Sequence, residues 1–442
     1  MNSYLEYSLQ HCLDYRVKNG MPVTDLFHDT NDSYHAPDFF SNDYLSITTN
    51  EQFHDIVVKS TLSCTRLLGS IGSRVLNGNT ADHVKLEKYL QTHFDASSAL
   101  LWNSGYDANV AFFGSVPQKG DFILFDELIH ASVRDGIAAG PASRNAYPFS
   151  HNPVASFEVC LAELVEKNPQ IFERKATVFV AVESLYSMGG DFSPLPEFIE
   201  VLHRYVPRKY AHVVVDEAHS TGICGPSGRG YVALLGLQNE VDTVLHTFGK
   251  ARGSTGGEFD LILCAAVILT SPVIRKYLIN YVRPMIYTTS MPRFHLLTIK
   301  RSFDFIASAE GDELRKQLRE HSLYFLRKLR LMLKGVPKSV LSFCDPDRSF
   351  ETIVSPIFPL LSTEVASLAT YLRSKGYAAQ MIPYPAVPKG QERVRVMMHA
   401  GNTTGDNDVF AQAIEEWVVT QSCQFSLGMA SGKNLESQKA MP

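Results

Sequence analysis

The sequence predicts an α/β protein with two domains, the larger of which is built on a mostly parallel β-sheet. Short apolar runs rich in β-branched residues alternate with helical patterns between about residues 95 and 270, as they do in βαβ units. Predicted strands cover residues 99–102, 122–125, 178–182, 213–215, 244–246 and 261–264. Beyond residue 270, long helical patterns at about 292–335 and two isolated strand patterns indicate a smaller α+β domain.

The segment before the first sheet strand contains a helix, a turn and a glycine-rich loop. Apolar residues at helical spacing, Leu5, Leu9 and Leu13 among them, predict an amphipathic helix followed by an irregular link through residue 35, which is typical of a packing element. Residues 39–45 predict a short strand and a turn. A glycine-rich loop at residues 69–74 precedes a further helix, which we expect Thr80 to cap.

The smaller domain is predicted to begin at residue 291. Two prolines in the strand pattern at 355–360 restrict that strand to a sheet edge, because proline cannot donate an N–H to a ladder. Residues 393–397 predict a second strand, and residues 407–420 predict a closing helix. We therefore expect a helix and arm over residues 1–45, the large domain over 46–290, the small domain over 291–423 and a disordered tail over 424–442.

Composition indicates an ordinary globular protein. The chain has 442 residues and a formal net charge of -5, so there is no electrostatic reason to expect a nucleic acid or an anionic membrane as partner. Its seven cysteines are scattered, which favours a reducing compartment, such as the cytoplasm, over a disulfide framework. The longest apolar run, residues 261–269, is too short to span a bilayer, and residues 1–6 lack the pattern of a signal peptide.

An acid, an imidazole and a lysine follow the ends of two predicted strands. Asp216 and His219 come after residues 213–215, and Lys250 follows residues 244–246. Because parallel strands place ligands at their carboxyl ends, we expect these side chains to meet at one edge of the sheet. An acid can hold a pyridinium proton, an imidazole can contact a ring oxygen, and a lysine can form an imine with an aldehyde. The pattern therefore predicts a pyridoxal phosphate site.

Three further places in the chain are candidates for contacts with such a cofactor. Residues 103–106 form a small-residue turn between a strand and a helix, where free backbone N–H groups can bind an anion, although a tight turn without a ligand explains the pattern equally well. His130 follows the strand at 122–125 and could lie against a planar ring, but a lone histidine is more often an ordinary polar residue. Asn42 is a turn former by default and otherwise a candidate ligand contact.

Two other kinds of site do not fit the sequence. A phosphate-binding Walker loop around Lys250 would need a glycine at position 244 and a serine or threonine at position 251, where the chain has Val244 and Ala251. A metal site at Asp216 and His219 would need further clustered ligands, and neither an HExxH motif nor a His/Cys cluster accompanies them. We therefore predict no metal site.

Ten short motifs in one order connect the chain with a known family. They lie at 41–45 (SNDYL), 72–74 (GSR), 103–106 (NSGY), 130–132 (HAS), 187–191 (SMGGD), 216–219 (DEAH), 247–251 (TFGKA), 287–292 (YTTSMP), 387–390 (VPKG) and 393–395 (RVR). From about residue 38 to 420 the chain resembles the α-oxoamine synthases, which are pyridoxal phosphate enzymes of fold type I. The resemblance implies a mostly parallel seven-stranded sheet flanked by helices. It also implies the condensation of a small amino acid such as L-alanine with an acyl-CoA thioester, which yields an aminoketone and CO₂.

The resemblance implies roles for five residues at the cofactor ring. Lys250 would bind the cofactor covalently and later transfer a proton. Asp216 would pair with the pyridinium nitrogen, and His130 would stack on the ring face. His219, with Ser187, would reach the ring oxygen.

Further residues are implied to bind the phosphate and the substrate. Three residues of the same chain would bind the phosphate: Gly105, Tyr106 and Thr247. Thr288 and Thr289 would reach the phosphate in the neighbouring subunit, so the resemblance implies a homodimer with shared active sites. Arg395 would bind the amino-acid carboxylate with its guanidinium fork, and Asn42 would lie at the substrate.

The resemblance leaves the acyl donor open. The bacterial branch that acts in biotin synthesis has an arginine and a threonine where this chain has Pro383 and Ala386, whereas residues 216–222 and 399–403 look most like fungal members of that branch. One alternative is an α-oxoamine synthase of secondary metabolism that uses a polyketide or other acyl thioester. From a different class, a fold-type I aminotransferase stays open. The presence of Lys250 argues against a catalytically silent partner subunit.

Overall fold

The chain folds into two units. The structure, a computed structural model, describes residues 3–19, 21, 23, 35–64, 67–173, 175–253, 265–345 and 354–438. Unit 1 contains the described parts of Met1–Ser41, Met188–Gly190 and Gln317–Pro442, and unit 2 contains those of Asn42–Ser187 and Asp191–Lys316. Unit 2 thus extends to residue 316, beyond the predicted change at 290, because the helix Arg293–Ile306 packs on the helices Glu51–Leu62 and Ala81–His93.

Unit 2 is built on a seven-stranded sheet. The strands are β1 (Ala99–Trp102), β2 (Phe122–Asp126), β3 (Ala146–Phe149), β4 (Val178–Glu183), β5 (Ala211–Asp216), β6 (Thr243–Thr247) and β7 (Ala266–Leu269). Their order across the sheet is β1-β7-β6-β5-β4-β2-β3. The five strands from β3 to β6 pair in parallel, and β7 is antiparallel to both of its neighbours. The predicted mostly parallel sheet is confirmed.

Five predicted strands are confirmed, namely β1, β2, β4, β5 and β6. The strand predicted at 261–264 lies outside the described residues. The edge strand β3 was not predicted, because its four residues include Pro148 and no β-branched side chain. The strand β7, which lies between β1 and β6 in the sheet, was not predicted as a separate element either.

Helices pack on this sheet and bury an apolar core. The helices of unit 2 are α2 (Glu51–Leu62), α3 (Ala81–His93), α4 (Gly105–Phe113), α5 (Ala131–Ala139), α6 (Val154–Lys167), α7 (Leu195–Tyr205), α8 (Tyr231–Leu234), α9 (Pro272–Tyr281), α10 (Arg283–Tyr287) and α11 (Arg293–Ile306). One core cluster joins β1, α4, α5 and α9 through residues such as Leu100, Phe112, Val133 and Leu278. The predicted cap is confirmed, since Thr80 accepts a hydrogen bond from the backbone N–H of His83.

Unit 1 contains a four-stranded antiparallel sheet. Its strands are β8 (Ser342–Phe343), β9 (Ile357–Leu361), β10 (Met381–Ile382) and β11 (Arg393–Met397), in the order β10-β11-β9-β8. The expectation that the proline-containing strand lies at an edge was wrong, because β9 pairs on both sides. Pro359 lies opposite Arg395 of β11, and on its other side β8 pairs only with Leu360 and Leu361. No strand therefore needs an N–H from position 359 on the β8 side, which is how an internal strand can contain this proline.

The helices of unit 1 differ from the sequence-based expectations at the C-terminal end. Its helices are α1 (Ser3–Lys18), the part of α12 (Ala309–Met332) after residue 316, α13 (Val365–Ser374) and α14 (Thr404–Gln438). The α14 helix runs to Gln438 and so includes most of the segment predicted to be a disordered tail, in which no proline precedes Pro442. None of the described helices is long and apolar enough to cross a membrane.

The N-terminal region also differs in part from its prediction. The predicted helix α1 is present, but Leu5, Leu9 and Leu13 are exposed in the single chain rather than packed. The strand predicted within residues 39–45 is absent from this described segment, which forms bends and turns. Its Phe39 is buried by stacking on Phe410, with 4.2 Å between ring centroids, so packing rather than a ladder explains the apolar pattern.

Candidate active site

A cavity of about 200 Å³ opens where β2, β4, β5 and β6 end and α4 begins. Seven of the residues proposed from the sequence line it together: Gly105, Tyr106, His130, Asp216, His219, Thr247 and Lys250. Seven further residues complete the lining: Ser104, Asn109, Ala131, Ser132, Glu183, Ala218 and Leu245. The carboxyl edge of the parallel strands therefore gathers an amine, two acids and two imidazoles around one space.

Asp216 is held rigidly at the end of β5. Its Oδ2 accepts a hydrogen bond of 2.7 Å from Asn109 Nδ2, and its Oδ1 accepts one of 2.9 Å from the backbone N–H of Ala218. Asn109 also donates to Ser132 Oγ at 3.1 Å. Asn109 was not predicted, although it lies one helical turn after Gly105 and therefore on the same face of α4.

His130 is fixed by the start of α5. It is the N-cap residue of that helix, and its Nδ1 accepts from the backbone N–H of Ser132 at 3.3 Å and lies 2.6 Å from Ser132 Oγ. The Ser132 hydroxyl also accepts from Asn109, which holds Asp216. Asp216 and His130 are therefore joined by one chain of hydrogen bonds, which sets the orientation of the His130 ring.

His219 is oriented from the N-terminal part of unit 2. Its Nδ1 lies 2.8 Å from the hydroxyl of Tyr44, a fully buried residue, and that hydroxyl is 3.4 Å from Asn42 Oδ1. Asn42 does not line the cavity itself, and its contact with the Tyr44 hydroxyl connects it to His219. The sequence did not identify Tyr44, because a buried tyrosine near a turn has the same pattern as an ordinary core residue.

The N-terminus of α4 lies very close to Thr247. Ser104 caps the helix and accepts from the N–H of Asp107 at 2.9 Å, while the first N–H groups, those of Gly105 and Tyr106, have no acceptor within the helix. A Cβ on Gly105 would lie 2.6 Å from Thr247 Cγ2, so a larger residue would fit there only if Thr247 or the backbone moved. The cavity wall thus combines free N–H donors with a hydroxyl next to Lys250, an arrangement suited to an anion.

Glu183 is a buried acid that was not predicted. It pairs in register with Asp216 on the neighbouring strand, and its carboxyl group accepts hydrogen bonds from the backbone N–H groups of His130 and Ser187. Burial raises the pKa of Glu183 well above its usual range, and the nearby Asp216 charge adds to the rise. The site therefore contains a second buried acid beside Asp216, and burial favours its neutral form. Glu183 ends a continuous apolar strand pattern, so the sequence did not indicate that this acid lies at the site.

Besides Asn42, four predicted site residues lie outside the lining of this cavity. Ser187 is half-buried at the turn after β4, and Thr288 and Thr289 are exposed at the end of α10. The backbone carbonyl of Thr289 accepts from Asn103 Nδ2 at 2.9 Å. Arg395 belongs to β11 in unit 1. In the single chain the cavity is lined by all the residues predicted at the ring and phosphate from the same chain except Ser187, but not by those predicted to come from a second subunit.

Comparison with known proteins gives consistent results for sequence and fold. A family model for aminotransferase class I and II matches residues 37–414. The chain is 37% identical to the 8-amino-7-oxononanoate synthase of Emericella nidulans over 385 residues, which cover 86% of this chain and 89% of that protein. It is 32% identical to the aminoacyl transferase sphA of Aspergillus fumigatus over 398 residues, with 88% and 81% covered.

Among solved structures, the serine palmitoyltransferase of Sphingomonas wittichii matches with a TM-score of 0.75 and 24% identity, and the match covers 95% of this chain and 98% of that one. This second comparison supports the fold. The family model spans most of the sequence, including every residue that lines the cavity. The chain therefore belongs to the aminotransferase class I and II family.

Proposed function

We propose that the chain is a pyridoxal phosphate-dependent acyltransferase with 8-amino-7-oxononanoate synthase activity. It would join a small amino acid, L-alanine, to an acyl-CoA thioester with loss of CO₂ and form an α-aminoketone. The observation that carries the proposal is that Lys250, Asp216, His219 and the open N-terminus of α4 line one cavity. The relative with that activity in Emericella nidulans shares 37% of its residues over most of both chains.

The donor groups of the cavity fit pyridoxal phosphate. The cofactor has an aldehyde, a pyridine nitrogen and a phosphate, for which the cavity offers the Lys250 amine, the Asp216 carboxylate and the N–H groups of Gly105 and Tyr106. Thr247 adds a hydroxyl on the phosphate side. When bound, the cofactor acts as an electron sink for the bonds to the amino-acid Cα.

The protein's own residues would orient the reactants and transfer the proton. Lys250 removes the proton from the substrate Cα, since an amine positioned at the reacting carbon is a suitable base. Asp216, held by Asn109, places a negative charge where the pyridine nitrogen must keep its proton. His130 covers the ring face, and Arg395 binds the substrate carboxylate with its guanidinium fork.

A homodimer with shared active sites is part of the proposal. Thr288 and Thr289 are exposed in the single chain, and Tyr287 beside them is 70% exposed. The backbone N–H of Ser290 donates to Gly72 at 3.0 Å, in a loop whose Ile71 is 91% exposed. A second copy that covered this surface would bury its apolar groups and bring both threonines to a phosphate. We propose the cytoplasm as the location, because the six described cysteines are free thiols.

One specific observation favours a second candidate function. The aminoacyl transferase sphA of Aspergillus fumigatus is 32% identical over most of this chain, and Pro383 and Ala386 depart from the bacterial biotin-pathway pattern. An α-oxoamine synthase of secondary metabolism would use the same cofactor residues with a different acyl thioester. A panel of acyl-CoA donors with alanine, glycine and serine, followed by product mass, separates the two candidates. CO₂ release separates both from an aminotransferase.

Covalent labelling tests the cofactor assignment. Purified protein should be yellow, and borohydride should fix the cofactor to Lys250 alone, as peptide mass mapping would show. Lys250→Ala should retain some noncovalent cofactor, because the phosphate and ring contacts remain. Labelling at another lysine would overturn the assignment.

Mixing two inactive chains tests the shared sites. One chain carries Lys250→Ala, and the other carries Thr288→Ala with Thr289→Ala. In a heterodimer one site keeps both the intact lysine and the intact threonines, so random pairing should restore about a quarter of wild-type activity. If heterodimers form and activity stays absent, the sites are not shared in this way.

A further inference from the structure

His151 contacts two carboxylates at once, just beyond β3. Its Nδ1 lies 2.9 and 3.0 Å from the two oxygens of Asp126, and its Nε2 lies 2.8 Å from Asp191 Oδ2. Asp126 is fully buried at the end of β2. Because an ionised carboxylate only accepts hydrogen bonds, both ring nitrogens must donate, and the ring is an imidazolium.

The groups around His151 favour this protonated state. Asp126 faces the ring from β2, Asp191 faces it from the loop after β4, the Tyr186 ring meets its edge at 4.4 Å, and Glu127 accepts the backbone N–H of His151 at 3.1 Å. Burial lowers the pKa of His151, but the two carboxylates outweigh burial and raise it to about 10. Since the pKa is raised, the bridge is complete below the ordinary value near 6.5 and is lost as the pH rises through about 10.

One end of the bridge controls the turn that carries Ser187. The backbone carbonyl of Asp191 accepts from the N–H of Tyr186 at 3.0 Å, and Leu185 pairs with Phe192 in an isolated bridge. The two legs of the loop are therefore tied together, and Ser187 follows directly after the tied residue Tyr186. Fixing the Asp191 side chain fixes this turn.

The other end of the bridge controls the turn that carries His130. Asp126 Oδ1 accepts from the N–H of Leu128 at 2.8 Å, and its carbonyl accepts from the N–H of Ile129 at 3.0 Å. His130 follows Ile129 and begins α5. A movement of the Asp126 carboxylate would release the bond from the Leu128 N–H, loosen this turn and let the His130 ring shift.

We propose that His151 is a positioning residue of the cofactor site, and that it holds the turns of His130 and Ser187 in place by bridging Asp126 and Asp191. The inference rests on the proposed function, in which those two residues contact pyridoxal phosphate. His151 itself does not line the cavity, so its effect passes through the two turns.

The test is cofactor binding by His151→Gln, which keeps similar size but cannot donate from both ends as a cation. The dissociation constant of pyridoxal phosphate should rise about 10- to 100-fold, as expected for losing hydrogen bonds to charged groups. The visible circular dichroism of the bound cofactor should change, and hydrogen exchange should quicken at residues 127–131 and 185–192. In the wild type, binding should weaken as the pH passes about 10, and the variant should lack this step.

His203→Gln is the matched control. His203 is also partly buried and lies 3.4 Å from the carboxylate of Glu240, but it is on α7 and away from the cavity lining. It should bind cofactor as the wild type does. Equal binding by His151→Gln and the wild type would overturn the positioning role while leaving the proposed function intact. A wild-type chain that takes up no pyridoxal phosphate would overturn both.

Asp191→Asn serves as the second variant, because this partly exposed residue can be changed without opening the core. It should weaken cofactor binding as His151→Gln does, and the double variant should be no weaker than either single one. Additive losses would overturn the bridge. If His151→Gln fails to fold, unchanged binding by Asp191→Asn alone would overturn it as well.

Discussion

The ends of β5 and β6 have two sides, and adjacent residues there lie in opposite environments. On the cavity side, Asp216 and Thr247 face the proposed cofactor space, and Asp216 is held by Asn109. On the reverse side, Glu217 and His246 are almost completely buried. Asp216 and Glu217 are neighbours in the sequence, but Asp216 lines the cavity whereas Glu217 is buried on the opposite side.

The reverse side keeps its polar groups neutral or surrounded by aromatic rings. Burial raises the pKa of Glu217 to about 8, and burial lowers the pKa of His246 well below its usual range. The His246 ring stacks on Phe94 at 4.0 Å, and the Arg252 guanidinium lies 3.5 Å from the centre of the Phe303 ring. Polarity alone therefore does not mark a site. The cavity side differs because its polar groups, although also mostly buried, line one space together with Lys250.

Removing the charge on the cavity side should give the largest effect. Asp216→Asn keeps the shape of the side chain but removes the charge opposite the pyridine nitrogen. We expect a rate loss of several powers of ten, on the order of 4 kcal/mol or more, with fold and colour largely intact. Steady-state kinetics with a matched far-ultraviolet spectrum measure this. Turnover near the wild-type level would show that the acid lies elsewhere.

Crowding the cavity wall should have a smaller effect. Gly105→Ala places a methyl group 2.6 Å from Thr247 Cγ2, and overpacking of this kind costs about 1–3 kcal/mol. Cofactor affinity should fall about 10- to 100-fold, as measured by equilibrium dialysis. Thr247→Ser removes the clashing methyl group and keeps the hydroxyl, so the double variant should recover most of the loss. If it recovers none, the close approach is not the cause.

On the reverse side, removing an ionisable group should change the pH dependence of stability rather than the rate. The neutral Glu217 carboxyl stabilises the fold fully below its usual pKa of 4.5, and this contribution is lost as the pH rises toward about 8, because the unfolded chain ionises first. Glu217→Gln cannot ionise, so its stability relative to the wild type should increase by about 3 kcal/mol from pH 5 to pH 8. Urea unfolding at both pH values measures this, and parallel curves would contradict it.

The smallest effect is expected at Arg252. Its guanidinium is fully buried and donates from Nη2 to the Gly228 carbonyl at 2.9 Å, while Nε and Nη1 have no partner among the described residues. Its removal relieves desolvation but loses one ring contact and one hydrogen bond, and the Gly228 carbonyl still accepts from the N–H of Gly222 at 2.9 Å. We therefore expect Arg252→Met to change the free energy of unfolding by less than about 1 kcal/mol.

The matched control is Arg275→Met, because Arg275 binds Glu87 at 2.7 Å and should cost about 1–3 kcal/mol in urea unfolding. Equal losses for the two arginine variants would contradict the distinction between Arg275, a partly exposed cation paired with a carboxylate, and Arg252, a buried cation held by a carbonyl and a ring.

Much of the fold was predictable because its parallel strands are short apolar runs with a clear end. Val213, Val214 and Val215 mark β5 through β-branching and continuous apolarity. Where tertiary pairing decides, local pattern fails. Pro148 hides the edge strand β3, and Pro359 suggested an edge although β9 is internal. Register and neighbours, not propensity, determine those two cases.

The site was predictable where chemistry follows a strand end. Asp216, His219 and Lys250 stand out because each breaks an apolar pattern at the carboxyl edge of the sheet. Glu183 and Asn109 were not predicted. Glu183 ends an apolar strand and Asn109 lies within a helix, so only the three-dimensional structure shows that they face the cavity.

The loop at Met188–Gly190 contacts a residue that is synthesised much later than the loop itself. It belongs to unit 1 although unit 2 flanks it on both sides in sequence. Within unit 1 the Met188 carbonyl accepts from Arg393 Nη1 at 2.9 Å, a contact across 205 residues of chain. At a synthesis rate of about 5–20 residues per second, the ribosome needs roughly 10–40 s to make that partner. The contact that holds the turn beside Ser187 therefore cannot form until Arg393 has been synthesised, well after the strands β2 to β6 that end at the cavity.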